Sequence, residues 1–468
     1  MTRLKLTVLF GVFVCSLFFF PINGQANGSG LFLAVYNSGQ ALVRDTRVVT
    51  LPAGPAAVVF SDIPNTVEPT SVRAAADGMT VLDVEYSFQQ ITSGSLLDAA
   101  VGTEVSVILP DPADGNSRIV RKATLLSNVG QPVFMVGDEV YIGNFEAVML
   151  PKMPQDFDTE PTLTLTTNCV DQGKKDVSLS YLMGGINWQA DYTLTLGKSG
   201  TTADLDSWAT VTNNAGHAFK NADLRLVAGD VQRVQAPKMM RNMAMVAMDA
   251  GAESVSATAS ETPFSQYHVY SIGRPISLPA RGSKQVGLFS AKAIPVKQTL
   301  TSRYRSGSGH RQGTISQPVE LAVVFENTES AKLGQPMPAG LVRIFMPSAD
   351  GAQLLAGETR INHTAVGNAL DLTLGRSFDV TVERTQTAFK KVGKKSYEIG
   401  WKVTVKNGSS APQDIALRES FPGSWTLLSA DAEYTDVDAG TIEFSLTSVA
   451  PMQGTEGKSI NYTVRIDY

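Results

Sequence analysis

Apolar and polar residues alternate along several stretches of this chain, so that every second side chain is apolar. In WQADYTLTL, from Trp188 to Leu196, apolar side chains fall at alternate positions and polar ones fill most of the positions between them. Such a stretch predicts a β-strand with one face in a core and the other in water. YEIGWKVTVK, IEFSLTSV and INYTVRIDY repeat the pattern, as does FDVTVER, where it places Phe378, Val380 and Val382 on the inner face.

Segments rich in Gly, Pro, Asn and Asp separate these strands, and extended helical periodicity is rare. The stretch GSLLDAAV predicts one short helix, capped by Ser95. Many short strands without intervening helices are typical of sandwiches and barrels. The predicted fold class is therefore all-β: several β-sandwich modules with a small inserted β-barrel and few short helices.

The chain has 468 residues, and a single core seldom grows beyond about 250–300 residues, so several domains are expected. Shifts in pattern predict an N-terminal β module at 27–95, a small inserted β-barrel of five short strands at 96–155, a central β-sandwich region at 156–390 and a C-terminal β-sandwich at 391–468. Within the central region, the Met-, Ala- and Ser-rich segment 236–263 lacks turn-bounded strands, which predicts a mobile loop.

The N-terminus has the pattern of a cleaved export signal. Arg3 and Lys5 precede an uncharged, mostly apolar run at residues 6–20, and small residues follow up to Ala26. The run is shorter than the ~20 residues that a membrane-spanning helix needs, and no later stretch is long enough. The sequence therefore predicts a signal peptide at 1–26, a periplasmic or secreted protein, and no transmembrane span once the signal is removed.

The charge of the chain argues against nucleic acid as a partner. There are 39 basic and 44 acidic residues, a net charge of −5, so no excess of positive charge attracts a polyanion. Loss of the signal would also remove Cys15 and leave Cys169 as the single cysteine, which excludes an internal disulfide. A buried, unreactive thiol is the usual state of such a residue, so we expect burial and hydrogen bonding to stabilise the modules.

The pair of glycines before Trp188 has two interpretations. Gly184 and Gly185 either bring the backbone close to a ligand or form a turn between two strands of a hairpin. The hairpin is favoured, because the aromatic residues that follow fall on the apolar face. Asp191 falls on the polar face, and we expect it to be solvated unless it lies beside Arg225 or another charge in a cleft.

The chain contains neither G-x-S-x-G nor H-E-x-x-H, the motifs of a hydrolase nucleophile elbow and of a zinc protease. No two histidines have the spacing of a zinc signature, and Glu358, five residues before His363, does not complete such a signature. The histidines are His217, His268, His310 and His363. Asp230, after the stretch DLRLVAG, is either a turn former or a cation ligand, and the turn is favoured. No catalytic, cofactor-binding or metal-binding residue is therefore predicted, and no cofactor.

Five methionines within ten residues of the segment 236–263 support one metal hypothesis, because thioether ligands suit Cu(I). The favoured alternative is a flexible apolar segment that docks on a partner. The methionines are Met239, Met240, Met243, Met245 and Met248.

Four longer stretches resemble a known family. LSYLMGGINWQADYTLTL, WATVTNNAGHAFKNADLRLVAGDV and LGRSFDVTVER are similar to segments of bacterial secreted or periplasmic proteins that carry a conserved domain of unknown function and are labelled mucoidy-inhibitor-A-like. YNSGQALVRDTRVVTLPAG resembles the opening segment of that family. The resemblance covers most of the chain after the signal. It implies an exported, β-rich protein with no established reaction and a link to the envelope or its exopolysaccharide.

Two function hypotheses follow. The first is an exported, envelope-associated binding or scaffolding protein whose partner is an envelope protein or polysaccharide. The alternative is a carbohydrate-active hydrolase that uses a carboxylate pair in a groove between modules, which sequence spacing alone does not reveal. The absence of reaction motifs favours binding over catalysis, and the sequence leaves open whether the chain is an enzyme.

Overall fold

The computed structural model describes residues 22–23, 28–88, 91–111, 117–153, 160–229, 259–264, 266–307, 309–452 and 456–468. The chain divides into two compact units. The first comprises Met1–Asn187, Thr212–Arg225 and Arg274–Ser283, and the second comprises Trp188–Val211, Leu226–Gly273 and Lys284–Tyr468. Strands dominate both, as the alternation predicts, so the all-β fold class is confirmed.

The elements from the N-terminus to the glycine pair are β1 (Ile22–Asn23), β2 (Gly28–Tyr36), β3 (Gln40–Leu51), β4 (Gly54–Phe60), a 3₁₀ turn (Pro69–Ser71), β5 (Arg73–Ala75), β6 (Met79–Ser87), α1 (Ser93–Ala99), β7 (Glu104–Pro110), β8 (Arg118–Ser127), β9 (Val133–Val136), β10 (Glu139–Tyr141), β11 (Ala147–Met149), β12 (Thr162–Cys169) and β13 (Gly173–Gly184).

The remaining strands are β14 (Ile186–Leu196), β15 (Thr202–Asn213), β16 (Phe219–Ala228), β17 (Ser260–Phe264), β18 (Tyr267–Ser271), β19 (Ile276–Leu278), β20 (Gly282–Pro295), β21 (Lys297–Arg305), β22 (Thr314–Gln317), β23 (Glu320–Glu326), β24 (Gly340–Pro347), β25 (Gln353–Ile361), β26 (Ala369–Arg376), β27 (Val380–Lys391), β28 (Ser396–Asn407), β29 (Gln413–Ser420), β30 (Ser424–Ala430), β31 (Thr435–Asp438), β32 (Thr441–Val449) and β33 (Lys458–Asp467).

In the first unit, β3 is the long strand on which a sheet is built. It pairs antiparallel with β2 on one side and with β13 on the other, and the β3–β13 register runs from Gln40↔Gly184 to Leu51↔Gly173. Alternate apolar residues of β3, such as Val43, are fully buried. A second sheet has the order β1-β4-β12-β6. In both sheets, every second side chain of these strands is therefore turned toward a core.

A five-stranded sheet with the order β10-β9-β8-β7-β11 lies in sequence between β6 and β12, which pair with each other. It has a small core of its own, from β7, β8, β9 and the end of α1. The core residues are Ala100, Val105, Val107, Leu109, Ala123, Leu125 and Phe134. This sheet falls within the segment 96–155 that the sequence assigns to an inserted barrel; β10 and β11 are its two edges.

The predicted helix forms, but its cap differs from the prediction. Thr92 is the N-cap, and its hydroxyl accepts a hydrogen bond from the Ser95 backbone N–H at 3.0 Å. The Ser95 hydroxyl in turn accepts from the Thr92 N–H at 2.9 Å. Ser95 is therefore the third residue of the helix and closes a capping box, which two hydroxyl residues three positions apart can form.

In the second unit, β14 is the central strand of a sheet with the order β20-β15-β14-β24-β25. It pairs in parallel with β24, from Ala190↔Gly340 to Thr195↔Phe345. The predicted inner face of β14 is buried: Trp188 is 3% exposed, and the apolar residues at alternate positions after it are at most 1% exposed.

The C-terminal part of the second unit contains a sandwich of two sheets, with the orders β26-β23-β21-β29-β32-β31 and β22-β27-β28-β33-β30. Side chains from both sheets form one core, which includes Val382, Trp401, Val403, Leu417, Phe444, Val464 and Ile466. The predicted boundary at 390/391 differs from this arrangement. It falls at the end of β27, which pairs with β28 along its length, and the first strand of the sandwich begins at Lys297. Residues 392–395 therefore connect the two strands of a hairpin, β27 and β28.

One residue in this region is placed wrongly by the alternation. Phe378 is 96% exposed, whereas Val380 and Val382 are buried as predicted. The strand begins only at Val380, so the period of two does not reach back to Phe378.

Three sequence predictions fall wholly or partly outside the described residues. The signal peptide at 1–26 lies outside them apart from Ile22–Asn23, which pair in parallel with β4. The segment 236–263 lies outside them up to residue 258, and with it the methionine cluster. Its predicted end is wrong, because β17 already begins at Ser260. Within the described part of the chain, no helix is both long and apolar enough to cross a membrane. Cys169 is buried and carries no disulfide.

Candidate functional site

The glycine pair lies between β13 and β14, but the predicted hairpin is wrong. β13 pairs with β3 and β5, while β14 is in the sheet with β15 and β24, so the chain passes from one sheet to another at this point. Gly185 has φ of +78°, and a Cβ there would lie 3.3 Å from the backbone of Ala215. Its carbonyl accepts the N–H of Asn214 at 2.7 Å. Glycine is required by this sharp bend and close approach.

Trp188 is the first aromatic residue after this bend, and it holds the end of β16 in place. Its indole N–H donates a hydrogen bond of 3.2 Å to the carbonyl of Val227, in a buried position. Its ring makes an edge-on contact with Tyr270, with 6.2 Å between ring centroids. The apolar face of β14 is thus packed as predicted. The indole N–H of Trp188 fixes the backbone just before Ala228 and Gly229.

Two buried tyrosines hold a second backbone segment. The hydroxyl of Tyr192 donates to the carbonyl of Pro338 at 2.7 Å, and the hydroxyl of Tyr270 donates to the carbonyl of Pro336 at 2.8 Å. Burial raises the pKa of both tyrosines above the ordinary value, so both hydroxyls remain protonated donors. Between them, Met337 forms a two-way backbone bridge with Thr364.

The segments held by these three aromatic side chains enclose a pocket of about 240 Å³, which we call the histidine pocket. It lies within the second unit. It is lined by Ala228, Gly229, Gln266, His268, Tyr270, Pro336, Met337, Pro338, His363, Thr364 and Ala365.

The two imidazoles of the histidine pocket have different hydrogen-bonding states. His268 Nδ1 lies 2.7 Å from Glu261 Oε1, so a proton on Nδ1 is donated to the carboxylate and Nε2 is left as an acceptor in the neutral ring. His363 Nδ1 accepts the backbone N–H of Ala339 at 3.2 Å, so the proton of the neutral ring is on Nε2. When both rings are neutral, one imidazole therefore offers an acceptor and the other a donor.

Gly229 makes a close approach at this pocket. Its φ is +127°, and a Cβ at this position would lie 2.5 Å from the ring of Tyr267. Any larger residue would force that ring to move. Asp230, which follows, lies outside the described residues.

The chain matches the domain of unknown function DUF4139 over residues 177–426. This match covers more than half of the 468 residues. The chain belongs to the DUF4139 family. It also matches the N-terminal domain of unknown function DUF4140 over residues 34–96. A comparison with curated proteins finds no match.

The DUF4139 match contains all the residues that line the histidine pocket and all three aromatic side chains that support it. The five-stranded sheet formed by β7 to β11 lies outside both matches, because the DUF4140 match ends at residue 96 and the DUF4139 match begins at residue 177. The pocket of this chain is therefore formed by residues within the DUF4139 match.

Asp191, predicted to be solvated, is buried in the DUF4139 domain with 8% of its surface exposed. Its Oδ2 accepts a hydrogen bond of 2.5 Å from the Thr210 hydroxyl, which in turn accepts from the Gln285 side-chain amide at 3.2 Å. The alternation does not reveal these local contacts: Thr210 on the neighbouring strand β15 and Gln189 on β14 itself donate to the two carboxylate oxygens. Arg225 pairs instead with Asp223, at 3.6 Å.

We expect Asp191→Ala to lower the free energy of unfolding by about 1–3 kcal/mol, because it leaves the Thr210 hydroxyl without its acceptor in a part-buried position. Thermal unfolding followed by circular dichroism measures the change. Asn187→Ala is the control, since Asn187 lies on the same strand, is exposed and makes no side-chain contact with Asp191 among the described residues. Equal melting temperatures for wild type and Asp191→Ala would contradict the structural role of this carboxylate.

The remaining residues singled out in the sequence do not join the pocket. His217 Nδ1 lies 3.5 Å from Asp62 Oδ1, and burial lowers the pKa of His217. His310 contacts the ring of Phe389. Glu358 pairs with Arg343 at 2.8 Å and not with His363. Within the described ranges, no three His, Cys, Asp or Glu residues are grouped so that they could hold a metal ion.

The C-terminal sandwich contains a buried ionic network that none of the motifs described above indicates. Arg384 and Glu419 are both fully buried and lie 2.6 Å apart. Glu419 also accepts a hydrogen bond of 2.9 Å from the Tyr462 hydroxyl. Burial raises the pKa of Glu419, while Arg384 and the hydroxyl oppose that rise. The guanidinium of Arg384 lies over the ring of Tyr304, 4.7 Å from its centroid.

A signal for this network is present in the sequence. Val380, Val382 and Arg384 share one face of β27, and two apolar residues of β29 share the face of Glu419. A charge that continues an inward-facing series on each of two strands predicts a buried pair, because an unpaired buried charge would be very costly.

Proposed function

We propose that this protein is an exported, envelope-associated binding or scaffolding protein, of the mucoidy-inhibitor-A-like kind within the DUF4139 family. The observation that carries the proposal is the histidine pocket: Trp188, Tyr192 and Tyr270 hold its backbone, and its described lining offers polar groups for recognition. The positively charged, apolar N-terminus supports the export part of the proposal.

The composition of the pocket favours binding over glycoside hydrolysis. Hydrolysis of a glycosidic bond uses two carboxyl groups, about 5–5.5 Å apart in retaining and about 6.5–9.5 Å apart in inverting enzymes. The described lining of the histidine pocket includes no Asp or Glu. The carboxylate of Glu261 lies 2.7 Å from His268 Nδ1 and is engaged with it.

The size and polarity of the pocket indicate what it would hold. A volume of about 240 Å³ lies below the range of sites for drug-sized ligands, so it suits one side chain or one ring of a larger partner. The acceptor nitrogen of His268 and the donor nitrogen of His363 suit a neutral polar group that both donates and accepts hydrogen bonds, such as a hydroxyl or an amide. An envelope protein and a polysaccharide both offer such groups.

Site-specific photo-crosslinking in living bacteria tests the proposal. Gln266 is exposed and lines the pocket, so a benzophenone side chain placed there should capture an envelope component. The same probe at Leu354, which is 59% exposed, in the same unit and not part of the lining, is the control and should not give that product. His268→Ala combined with the Gln266 probe should reduce the product severalfold, because it removes one polar contact of the pocket.

Identical products from both probe positions would contradict a specific role for the pocket. The same cells also test export, since the purified protein should begin at Asn27; a chain recovered from the cytoplasm with its first residues intact would count against it. Release of new reducing ends from envelope polysaccharide by the purified protein, lost on Glu261→Gln, would bring the hydrolase alternative forward.

A further inference from the structure

A second pocket lies at one end of the C-terminal sandwich, where β21 and β29 end and β32 begins. It has a volume of about 440 Å³, and we call it the arginine pocket. Backbone hydrogen bonds hold its rim: the Ser306 N–H donates to the Ser420 carbonyl at 2.9 Å, and the Phe421 N–H donates to the Gly440 carbonyl at 2.8 Å. The lining residues are Arg303, Tyr304, Arg305, Ser420, Phe421, Gly440 and Thr441.

The lining of the arginine pocket carries two positive charges and no negative one. Arg303 pairs with Glu320 at 3.1 Å, and both side chains are almost half exposed, so water screens this pair. Arg305 is exposed and forms no ion pair within the described part of the chain. Asp438 is the acidic residue at the neighbouring turn, and its Oδ1 is engaged by the N–H of Gly440 at 2.8 Å.

The buried ionic network lies directly behind Tyr304, a residue that also lines the pocket. Tyr304 is 8% exposed, and its hydroxyl has no hydrogen-bond partner among the described residues. The same holds for Nη1 of Arg384, whose guanidinium lies against the Tyr304 ring. Unpartnered buried polar groups are rare in folded proteins. The charge of Arg384 is balanced by Glu419, so the positive charge at the pocket comes from the exposed arginines of its lining.

The other groups of the lining suit a hydroxylated ligand. The hydroxyls of Ser420 and Thr441 lie 3.0 Å apart, and each can exchange its partner for a ligand hydroxyl. The rings of Tyr304 and Phe421 provide apolar surface at the base of the pocket. The pocket is too large for a bare inorganic anion to fill, whereas a single sugar ring fits its volume.

We propose that the arginine pocket binds a hydroxylated carboxylate of the acidic-sugar class, with Arg305 as the principal charge partner of the carboxylate. Arginine binds carboxylates through two parallel hydrogen bonds, which gives the contact direction as well as strength. This proposal does not depend on export or on the histidine pocket.

Isothermal titration of the purified chain with glucuronate, glucose and acetate tests the assignment. Glucuronate should bind saturably and more weakly as salt is raised, because exposed charges are screened. Arg305→Gln should weaken glucuronate binding about tenfold or more, which corresponds to the loss of one charge-assisted contact. Arg360→Gln is the matched control, since Arg360 is also exposed, lies in the same unit and is absent from the lining, and it should bind as wild type does.

Three outcomes would overturn the proposal: no saturable binding of glucuronate at millimolar concentration, equal binding by wild type and Arg305→Gln, or equally tight binding of glucose. Acetate binding as tightly as glucuronate would overturn the assignment to a sugar. Circular dichroism of each variant establishes that the fold is retained, which an exposed arginine at the end of a strand should permit. None of these outcomes changes the crosslinking result expected at Gln266, so the two proposals fail separately.

Discussion

Replacing Glu419 by alanine is expected to lower the free energy of unfolding by about 3–5 kcal/mol, because it leaves the fully buried guanidinium of Arg384 without a counter-charge. The Tyr462 hydroxyl loses its acceptor in the same step. Urea-induced unfolding, followed by circular dichroism, measures this loss.

Two comparisons separate the buried pair from an ordinary one. Glu443→Ala removes the partner of Arg418, which neighbours Glu419 on the same strand but is only partly buried, and it should cost about 1 kcal/mol or less. The double replacement Arg384→Met and Glu419→Leu should restore most of the stability, because apolar residues of similar volume often replace a buried pair without loss. A cost for Glu419→Ala as small as that of Glu443→Ala would contradict the buried ion pair.

The second large effect is expected at the aromatic core residues. Trp188→Ala and Trp401→Ala should each lower the free energy of unfolding by about 3–5 kcal/mol, since both rings are nearly fully buried and alanine would leave a cavity. Urea unfolding measures both changes. A loss of less than about 1 kcal/mol at either position would mean that the ring is not packed as described.

Phenylalanine at the same two positions isolates the indole N–H. Trp188→Phe should cost about 0.5–1.5 kcal/mol beyond its change in packing, because the Val227 carbonyl loses its donor. The N–H of Trp401 has no partner among the described residues, so Trp401→Phe carries no such additional cost. If the two phenylalanine variants lose the same amount of stability, Trp188 does not act on the backbone beside the histidine pocket.

Local pattern predicts the fold of this chain well and its polar interior poorly. The alternation correctly predicts which side chains of β14 face the core, because this depends only on whether each of those residues is apolar. It fails at Asp191, because the periodicity of β14 alone does not show that Thr210, on the neighbouring strand β15, stands beside this carboxylate. Likewise, Gly184 and Gly185 predict a bend, but which strands pair on either side of it depends on residues far away in the chain.

The candidate sites could not be predicted from spacing, because both are assembled from separate segments. The histidine pocket combines residues near positions 228, 268, 337 and 364. None of these segments carries a recognisable motif, and its imidazoles acquire different roles only through Glu261 and the backbone of Ala339. The burial of Arg384 and Glu419, in contrast, could be predicted, because each residue continues a series of inward-facing apolar residues on its own strand.

The parallel pairing of β14 with β24 has a consequence for the order in which the chain acquires its structure. Partners such as Ala190 and Gly340 are separated by about 150 residues, so closing that contact carries a large loop entropy and is slow. The sheet within 104–149 needs only neighbours from its own stretch and can form as soon as that stretch leaves the ribosome. The DUF4139 domain, in contrast, must wait until its second half has been synthesised.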